Sequence, residues 1–168
     1  RRLSDQLLCD SAAIAEAMTD RTLLDSLGVE DSTLAYYLIP DTYEVYWTES
    51  ARAITARLAR ESKTFWNEKR RSQAAELGMT PREVITLASI INEESAKSDE
   101  YRTIAGLYLN RLHRGMALQS DPTVLFALGD RSIRRVLHKH LEVDSPYNTY
   151  LHLGLPPGPI RIPSASAI

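Results

Sequence analysis

The stretch TPREVITLASIINEES, residues 80–95, predicts the helix on which the organisation of the chain depends. Thr80 can cap its N-terminus, Pro81 fits the first helical position, and Glu83 stands three residues after the cap and completes a capping box. Because this start is clearly marked, the register of the helix is fixed and its faces can be assigned at about 100° per residue. The apolar side carries Val84, Leu87, Ala88 and Ile91.

Two adjacent glutamates near the end of this helix lie on different faces. Glu93 is on the polar side, four residues before Lys97, where an i,i+4 ion pair would hold it in water. Glu94 follows Ile91 by three residues, so its carboxyl leans toward the apolar side near the helix C-terminus. Both desolvation and the negative end of a helix dipole disfavour a charged carboxylate. Glu94 is therefore either a proton donor to a leaving oxygen or a helix-end residue bonded to a backbone N–H or to Arg111.

The segments around this helix predict a helix-dominated α+β fold with a few short strands. The stretch TLAYYLIPDTYEVYW, residues 33–47, is rich in β-branched and aromatic residues around a Pro-Asp break, which favours two short extended segments. A helix over 99–113 places Tyr108 among its apolar positions, and the chain beyond Ser145 is expected to be ordered loop with strand pieces. The other predicted helices cover 4–18, 20–27, 48–77 and 121–128, with Thr48 and Asp121 as N-caps.

The composition is that of an ordinary globular protein and excludes several classes of function. The 168 residues include 20 Lys and Arg against 22 Asp and Glu, and this balance argues against a nucleic-acid partner held by phosphate neutralisation. The single cysteine, Cys9, excludes an internal disulfide and a cysteine-built zinc site, and four scattered histidines show no metal-ligand spacing. No run approaches the roughly 18 consecutive apolar residues that span a bilayer.

Neutral hydrogen-bonding side chains concentrate in the segments expected around the end of the Glu94 helix. Such a set suits a ligand with many hydroxyl and amide groups and little charge, namely a sugar polymer. Each residue could instead serve the fold, with Asp121 as an N-cap, Asn148 as a turn former and the tyrosines as core residues with satisfied hydroxyls. The set comprises Asn92, Ser95, Asn110, Gln119, Ser120, Asp121, Thr123, Tyr147, Asn148, Thr149 and Tyr150.

Four motifs, in this order, resemble those of the MltG or YceG-like family of endolytic murein transglycosylases. They are LIPDTYEV at 38–45, LASIINEES at 87–95, IAGLYLNRLHRGMALQSDPTV at 104–124 and YNTYLHLGLPPGPI at 147–160. The resemblance covers roughly residues 30–168. It implies a bacterial enzyme that cuts inside peptidoglycan strands, between N-acetylmuramic acid and N-acetylglucosamine. It also implies that no water is consumed and that the product ends in a 1,6-anhydro-muramyl residue.

The resemblance assigns the catalytic role to Glu94, the glutamate that the helical projection also selects. One carboxyl suffices, because the same group can protonate the leaving glycosidic oxygen and then take the proton of the muramyl 6-hydroxyl. No metal or cofactor is expected. The substrate-binding residues that the resemblance implies are Ser95, Asn110, Gln119, Ser120, Asp121, Thr123, Tyr147, Asn148 and Tyr150.

The resemblance also predicts how the chain is divided and where it works. Residues 1–32 would form short helices that pack on a catalytic region at 33–168, which is expected to be truncated at its C-terminus. Family members usually carry a membrane helix and a LysM-like domain ahead of this region. The parent protein is therefore expected to be anchored on the extracytoplasmic, periplasmic face of the cytoplasmic membrane, near peptidoglycan synthases. The fragment itself would be soluble, with no need of membrane contact.

Three other functions fit parts of the pattern. A lysozyme-like hydrolase would leave hydrated ends and would normally need a second carboxylate, for which Asp121 is the candidate. A glycan-binding module would hold the polymer without turnover. An aminodeoxychorismate lyase would need pyridoxal phosphate and a buried lysine, whereas the lysines lie in charged contexts. These lysines are Lys63, Lys69, Lys97 and Lys139.

Overall fold

The computed structural model describes residues 5–29, 33–130, 132–133 and 135–168. These residues are predominantly helical and divide into two compact units, Arg1–Gln73 and Ala74–Ile168. The predicted functional boundary between residues 32 and 33 stays a prediction. The helices are α1 (Ser11–Thr19), α2 (Arg21–Ser26), α3 (Leu34–Tyr37), α4 (Ala51–Phe65), α5 (Glu68–Glu76), α6 (Pro81–Glu94), α7 (Tyr101–His113) and α8 (Asp121–Leu128), followed by one 3-10 turn at His138–His140.

In the first unit, α1 and α3 pack on α4, and α2 packs on α1. Asp10 and Asp20 cap α1 and α2 by accepting a hydrogen bond from a backbone N–H three residues on, at 2.8 and 3.1 Å. The prediction of a helix from residue 4 was therefore too long: Ser4 lies outside the described residues, and α1 begins only after the Asp10 cap. The buried core comprises Ile14, Ala17, Met18, Leu23, Ala51, Ile54 and Leu58.

The predicted strands are absent from the described residues. Leu34–Tyr37 forms the short helix α3, and the chain that follows it is irregular to the start of α4. The β-branched and aromatic side chains serve packing instead, since Tyr37 and Ile39 are buried and the Tyr37 hydroxyl donates to the Met18 carbonyl at 2.5 Å. Burial raises the pKa of Tyr37 to about 12. A strand needs a partner for its backbone, and none of the described segments supplies one.

The predicted helix over 48–77 is two helices. Ser50, not Thr48, caps α4, with its Oγ accepting from the Ala53 N–H at 3.2 Å. The interruption falls at Trp66 and Asn67, where the Asn67 side chain accepts from the Arg70 N–H at 3.0 Å and thereby starts α5. A side-chain cap competes with continuation of the helix, and asparagine is among the best N-cap residues.

The second unit is organised around α6, whose N-terminus is as predicted. The Thr80 N–H donates to Glu83 Oε2 at 2.7 Å and the Glu83 N–H donates to Thr80 Oγ1 at 3.3 Å, which is a complete capping box. The apolar side of α6 packs on α7. The core of this unit comprises Leu87, Ile90, Ile91, Tyr101, Tyr108 and Leu118.

The C-terminal segment returns along α6 and bonds to its polar side chains. The Ile160 N–H donates to Ser89 Oγ at 3.0 Å, and Arg161 Nη1 donates to Glu93 Oε1 at 2.8 Å. The predicted Glu93–Lys97 pair is therefore wrong, because Lys97 pairs with Glu100 within the α6–α7 turn at 3.3 Å. Over the described ranges, no helix has both the length and the apolarity to cross a membrane.

Candidate active site

Glu94, the last residue of α6, has one carboxylate oxygen held by two hydroxyls. Tyr108 Oη on α7 donates to Glu94 Oε1 at 2.5 Å, and Ser120 Oγ donates to the same oxygen at 2.6 Å. No described residue hydrogen-bonds to Oε2. The carboxylate is thus fixed by one oxygen, and the other is open to a ligand.

The surroundings of Glu94 differ from those that its helical position predicted. The side chain is exposed, not set into the apolar face, and its neighbours are neutral hydroxyls. The alternative partner Arg111 is engaged elsewhere, because its Nη1 donates to the Leu118 carbonyl at 2.5 Å. Among the described residues, no cation pairs with Glu94.

Tyr108 is a buried donor that stays protonated. Burial, and after it the hydrogen bond to Glu94, raise the pKa of Tyr108 well above its ordinary value. Its hydroxyl therefore keeps its proton near neutral pH and donates a hydrogen bond to the carboxylate. The tyrosine is 4% exposed, so it acts on Glu94 from below and does not face a ligand.

Ser120 reaches Glu94 because two buried threonines hold its backbone. The Ser120 N–H donates to Thr149 Oγ1 at 3.0 Å, and Thr123 Oγ1 donates to the Ser120 carbonyl at 2.7 Å. Ser120, not Asp121, occupies the N-cap position of α8, so the prediction of Asp121 as the cap is wrong. Ser120 makes no side-chain cap hydrogen bond, because its hydroxyl is given to Glu94. Asp121 stands at the first helical position and its carboxylate is available to other partners.

Gln119 has the one left-handed backbone among the described non-glycine residues, with φ +54°. Its N–H donates to the Thr149 carbonyl at 3.0 Å and its side chain is exposed. Glycine adopts this conformation without the steric penalty that a Cβ brings. A glutamine held here at a conformational cost is typical of a functional position.

The loop over 145–152 is built on the buried side chain of Asn148. Its Nδ2 donates to the Leu141 and Val143 carbonyls at 2.8 and 2.9 Å, and its Oδ1 accepts from the Tyr150 N–H at 3.0 Å. Every one of these partners is backbone, so Asn148 has the turn-forming role that the sequence left open. Its contribution is to place Tyr150.

Tyr150 and Asp121 form a second hydrogen-bonded pair near Glu94. Tyr150 Oη donates to Asp121 Oδ1 at 2.6 Å. Burial first, then this hydrogen bond and the charges of Asp121 and Glu94, raise the pKa of Tyr150 to about 12. Asp121 is joined to the site through its neighbour Ser120, which bonds to Glu94, and Tyr150 is joined to it through Asp121.

A model of the YceG-like family matches residues 2–168 of the chain. The chain belongs to the YceG-like family. It is 36% identical to the endolytic murein transglycosylase of Streptococcus pneumoniae serotype 2 (strain D39 / NCTC 7466), over 95% of this chain and 30% of that protein. It is 38% identical to the endolytic murein transglycosylase of Bacillus subtilis (strain 168), over 74% of this chain and 34% of that protein.

A solved structure shares the fold of this YceG-like chain. The 2.6 Å crystal structure of a putative YceG-like protein from Listeria monocytogenes superposes with a TM-score of 0.72 and 31% identity, covering 95% of this chain and 57% of that one. The family match extends the resemblance from residue 30 back to residue 2. The chain spans about a third of the length of the curated relatives it matches.

Some predicted site residues of the YceG-like chain are not brought to the Glu94 carboxylate. Ser95 Oγ donates to Glu100 Oε2 at 2.6 Å and accepts from the Lys97 N–H, so it serves the α6–α7 turn. Asn110 is exposed on α7 about 200° around the helix from Tyr108, at ~100° per residue, and points away from Glu94. Both remain predicted substrate contacts without support from this geometry.

An aromatic pair flanks the same loop. The rings of Phe126 and Tyr147 lie 4.7 Å apart between centroids and are tilted by 50°. Phe126 is 44% exposed on α8, and Tyr147 is half-buried. The predicted residue Tyr147 therefore presents an aromatic surface, not only a hydroxyl.

In the described part of the chain, no group of three or more His, Cys, Asp and Glu side chains could hold a metal ion.

Two residues of the site were not predicted as such. Tyr108 was assigned to the core of α7 by its spacing, and Thr149 was only one member of the polar set. A signal for Tyr108 was available, because a tyrosine on an apolar helix face must find a partner for its hydroxyl. The sequence does not say that this partner is Glu94, which lies 14 residues away.

Proposed function

We propose that this chain carries the catalytic site of an endolytic lytic transglycosylase that cleaves peptidoglycan glycan strands between N-acetylmuramic acid and N-acetylglucosamine. The observation that carries the proposal is the Glu94 carboxylate, held at Oε1 by two neutral donors and open at Oε2. Family membership and relatives named endolytic murein transglycosylase support the substrate class. Glu94 is then the general acid and afterwards the general base.

The chemistry balances with one carboxyl group. Protonated Glu94 gives its proton to the leaving glycosidic oxygen as the bond to the muramyl anomeric carbon breaks, which leaves a carboxylate. The muramyl 6-hydroxyl oxygen then forms a bond to that carbon while its proton passes to Glu94. No water is consumed, the product end is a 1,6-anhydro-muramyl residue, and the enzyme returns to its starting state. Two fixed donors at Oε1 favour Oε2 as the oxygen that carries the proton.

The predicted binding residues separate into two groups under this proposal. Gln119, Asp121, Tyr147 and Tyr150 present side chains from the edge of the site and would contact the sugar hydroxyl and N-acetyl groups. Ser120, Thr123 and Asn148 are buried and would act by holding Glu94 and Tyr150. A water-consuming glycosidase would normally use a second free carboxylate. Asp121, the candidate, is already bonded to Tyr150.

The cellular setting follows from the substrate. Peptidoglycan lies outside the cytoplasmic membrane, so we propose that the parent protein works on the periplasmic face of that membrane, anchored there and near peptidoglycan synthases. The chemistry requires no cofactor.

The test is mass spectrometry of purified peptidoglycan after incubation with this chain and with its Glu94→Gln variant. We expect 1,6-anhydro-muramyl ends from the wild-type chain and none from the variant. Hydrated reducing ends would replace the proposal with a hydrolase. Binding of glycan without any cleavage, by this chain and by the parent-length protein alike, would replace it with a glycan-binding module.

A further inference from the structure

A cavity of about 290 Å³ lies beside the candidate site and shares Asp121 with it. Its volume is close to the lower bound of the roughly 300–1,000 Å³ range of small-ligand pockets. It lies within the second unit. The lining residues are Asp121, Arg135, Val136, Leu137, His138 and Leu141.

The lining offers three kinds of contact. Arg135 is exposed, and its guanidinium has no carboxylate partner among the described residues, so it is available to bind an anion. Asp121 has Oδ1 committed to Tyr150, which leaves Oδ2 to accept from an N–H. Leu137 is 49% exposed on the wall, an apolar surface that a ligand would cover. A peptide that carries a carboxylate has a partner for each contact: an anion for Arg135, a backbone N–H for Asp121 and an apolar side chain for Leu137.

We propose that this cavity binds the peptide stem of the muramyl residue whose glycosidic bond is cleaved. The inference rests on the proposed function, since a stem is attached to the same sugar that Glu94 attacks. Ser120 bonds to Glu94, and its neighbour Asp121 lines the cavity, so sugar and stem would meet adjacent residues. Arg135 binds a carboxylate of the stem, and Asp121 accepts a hydrogen bond from an amide N–H of the stem. The apolar wall contacts a methyl side chain of the stem.

A stem and a bare lactyl group both carry carboxylates, so the test must separate them. Affinity is measured with the Glu94→Gln variant for soluble uncrosslinked strands that carry stems, and for the same strands after an amidase has removed them. We expect at least tenfold tighter binding of the stem-bearing strands. Arg135→Gln in that background should abolish the difference while leaving affinity for stripped strands unchanged. Arg102→Gln, an exposed arginine on α7, is the matched control and should retain the difference.

Equal affinity for the two strands would overturn the proposal. An equal loss on both strands in the Arg135→Gln variant would also overturn it, because Arg135 would then act on a feature that the two strands share and not on the stem. Should Arg135→Gln fail to fold, Arg135→Lys gives the same comparison with the charge retained and should keep most of the difference. Strand cleavage by the wild-type chain is measured separately. If stem-bearing strands bind more tightly but are not cleaved, the proposed transglycosylase activity is refuted. If strands are cleaved but the two kinds of strand bind equally, only the stem site is refuted.

Discussion

Each end of α6 carries a glutamate whose carboxylate accepts hydrogen bonds from uncharged donors. The two ends differ in how far along the sequence these donors lie. At the N-terminus, Glu83 bonds to Thr80, three residues away. At the C-terminus, Glu94 bonds to Tyr108 and Ser120, which are 14 and 26 residues away. The first arrangement can form as soon as the helix does, whereas the second exists only after α7 and the Ser120 turn have packed.

The helix dipole acts on the two carboxylates in opposite directions. The N-terminal end carries partial positive charge, which favours a carboxylate such as Glu83, and the hydrogen bonds from Thr80 lower the pKa of Glu83 below its ordinary value. The C-terminal end carries partial negative charge, so the dipole of α6 gives Glu94 no such support. The Glu94 carboxylate is held instead by the hydroxyls of Tyr108 and Ser120, which the tertiary structure brings to it.

The largest effect should come from removing the carboxyl at the C-terminal end. Glu94→Gln is expected to lower the rate of strand cleavage by about 10²–10⁴-fold, the range for loss of a general acid–base. Its neighbour provides the matched control, because Glu93 forms only an exposed ion pair with Arg161, worth about 0–1 kcal/mol. Glu93→Gln should keep full activity. Equal losses in the two variants, measured as anhydro-muramyl ends per minute, would contradict the role of Glu94.

The next largest effect should come from removing the Asn148 side chain, which holds the loop beside the C-terminal end of α6, and it should be a loss of stability. Asn148→Ala leaves the Leu141 and Val143 carbonyls and the Tyr150 N–H without their side-chain partner, in a buried position. At about 1 kcal/mol for each bond, the free energy of unfolding should fall by about 3 kcal/mol. Urea unfolding measures it. Asn110→Ala, at an exposed asparagine on α7, should change stability by less than about 0.5 kcal/mol.

A smaller effect should follow from removing one donor to Oε1. Ser120→Ala takes away the 2.6 Å hydrogen bond to Glu94, and a hydrogen bond to a charged group is worth about 1.5–3 kcal/mol. We expect kcat to fall about tenfold or more, with KM nearly unchanged, because Ser120 is buried and orients the carboxylate without contacting the sugar. A rise in KM at constant kcat would show instead that Ser120 binds substrate.

The contrast between the two ends of α6 also explains what the sequence could predict. The capping box at Thr80 was predicted residue by residue because its partners are three positions apart, and local spacing contains all the information. The Glu94 contacts needed the crossing of α6 and α7 and the path of the Ser120 turn. Helical projection singled out Glu94 but predicted the wrong surroundings for it, apolar side chains in place of hydroxyls.

The errors in the fold prediction arise where another local arrangement of the backbone is more stable than the predicted one. Asn67 interrupts the predicted helix over 48–77, since one side-chain cap at 3.0 Å is enough to start α5 there. Leu34–Tyr37 has strand-like composition, yet it is helical, because none of the segments that the structure describes is a strand that could pair with it. The turn-forming role of Asn148 was one of the alternatives that the sequence left open, but the backbone groups that bond to Asn148 and Thr149 could not be predicted, since the loop brings them together.

The smallest effect should be at the N-terminal end, and it should depend on pH. Thr80→Ala removes the cap and should lower the free energy of unfolding by about 1 kcal/mol near neutral pH. The pKa of Glu83 is lowered in the folded state, so its contribution is complete above the ordinary value of 4.5 and is lost as the pH falls through the lowered value. Glu83→Gln should therefore destabilise the chain at pH 7 and become neutral in acid, as urea unfolding at the two pH values would measure. A difference between wild type and Glu83→Gln that grew toward low pH would have the wrong sign and would refute the capping role.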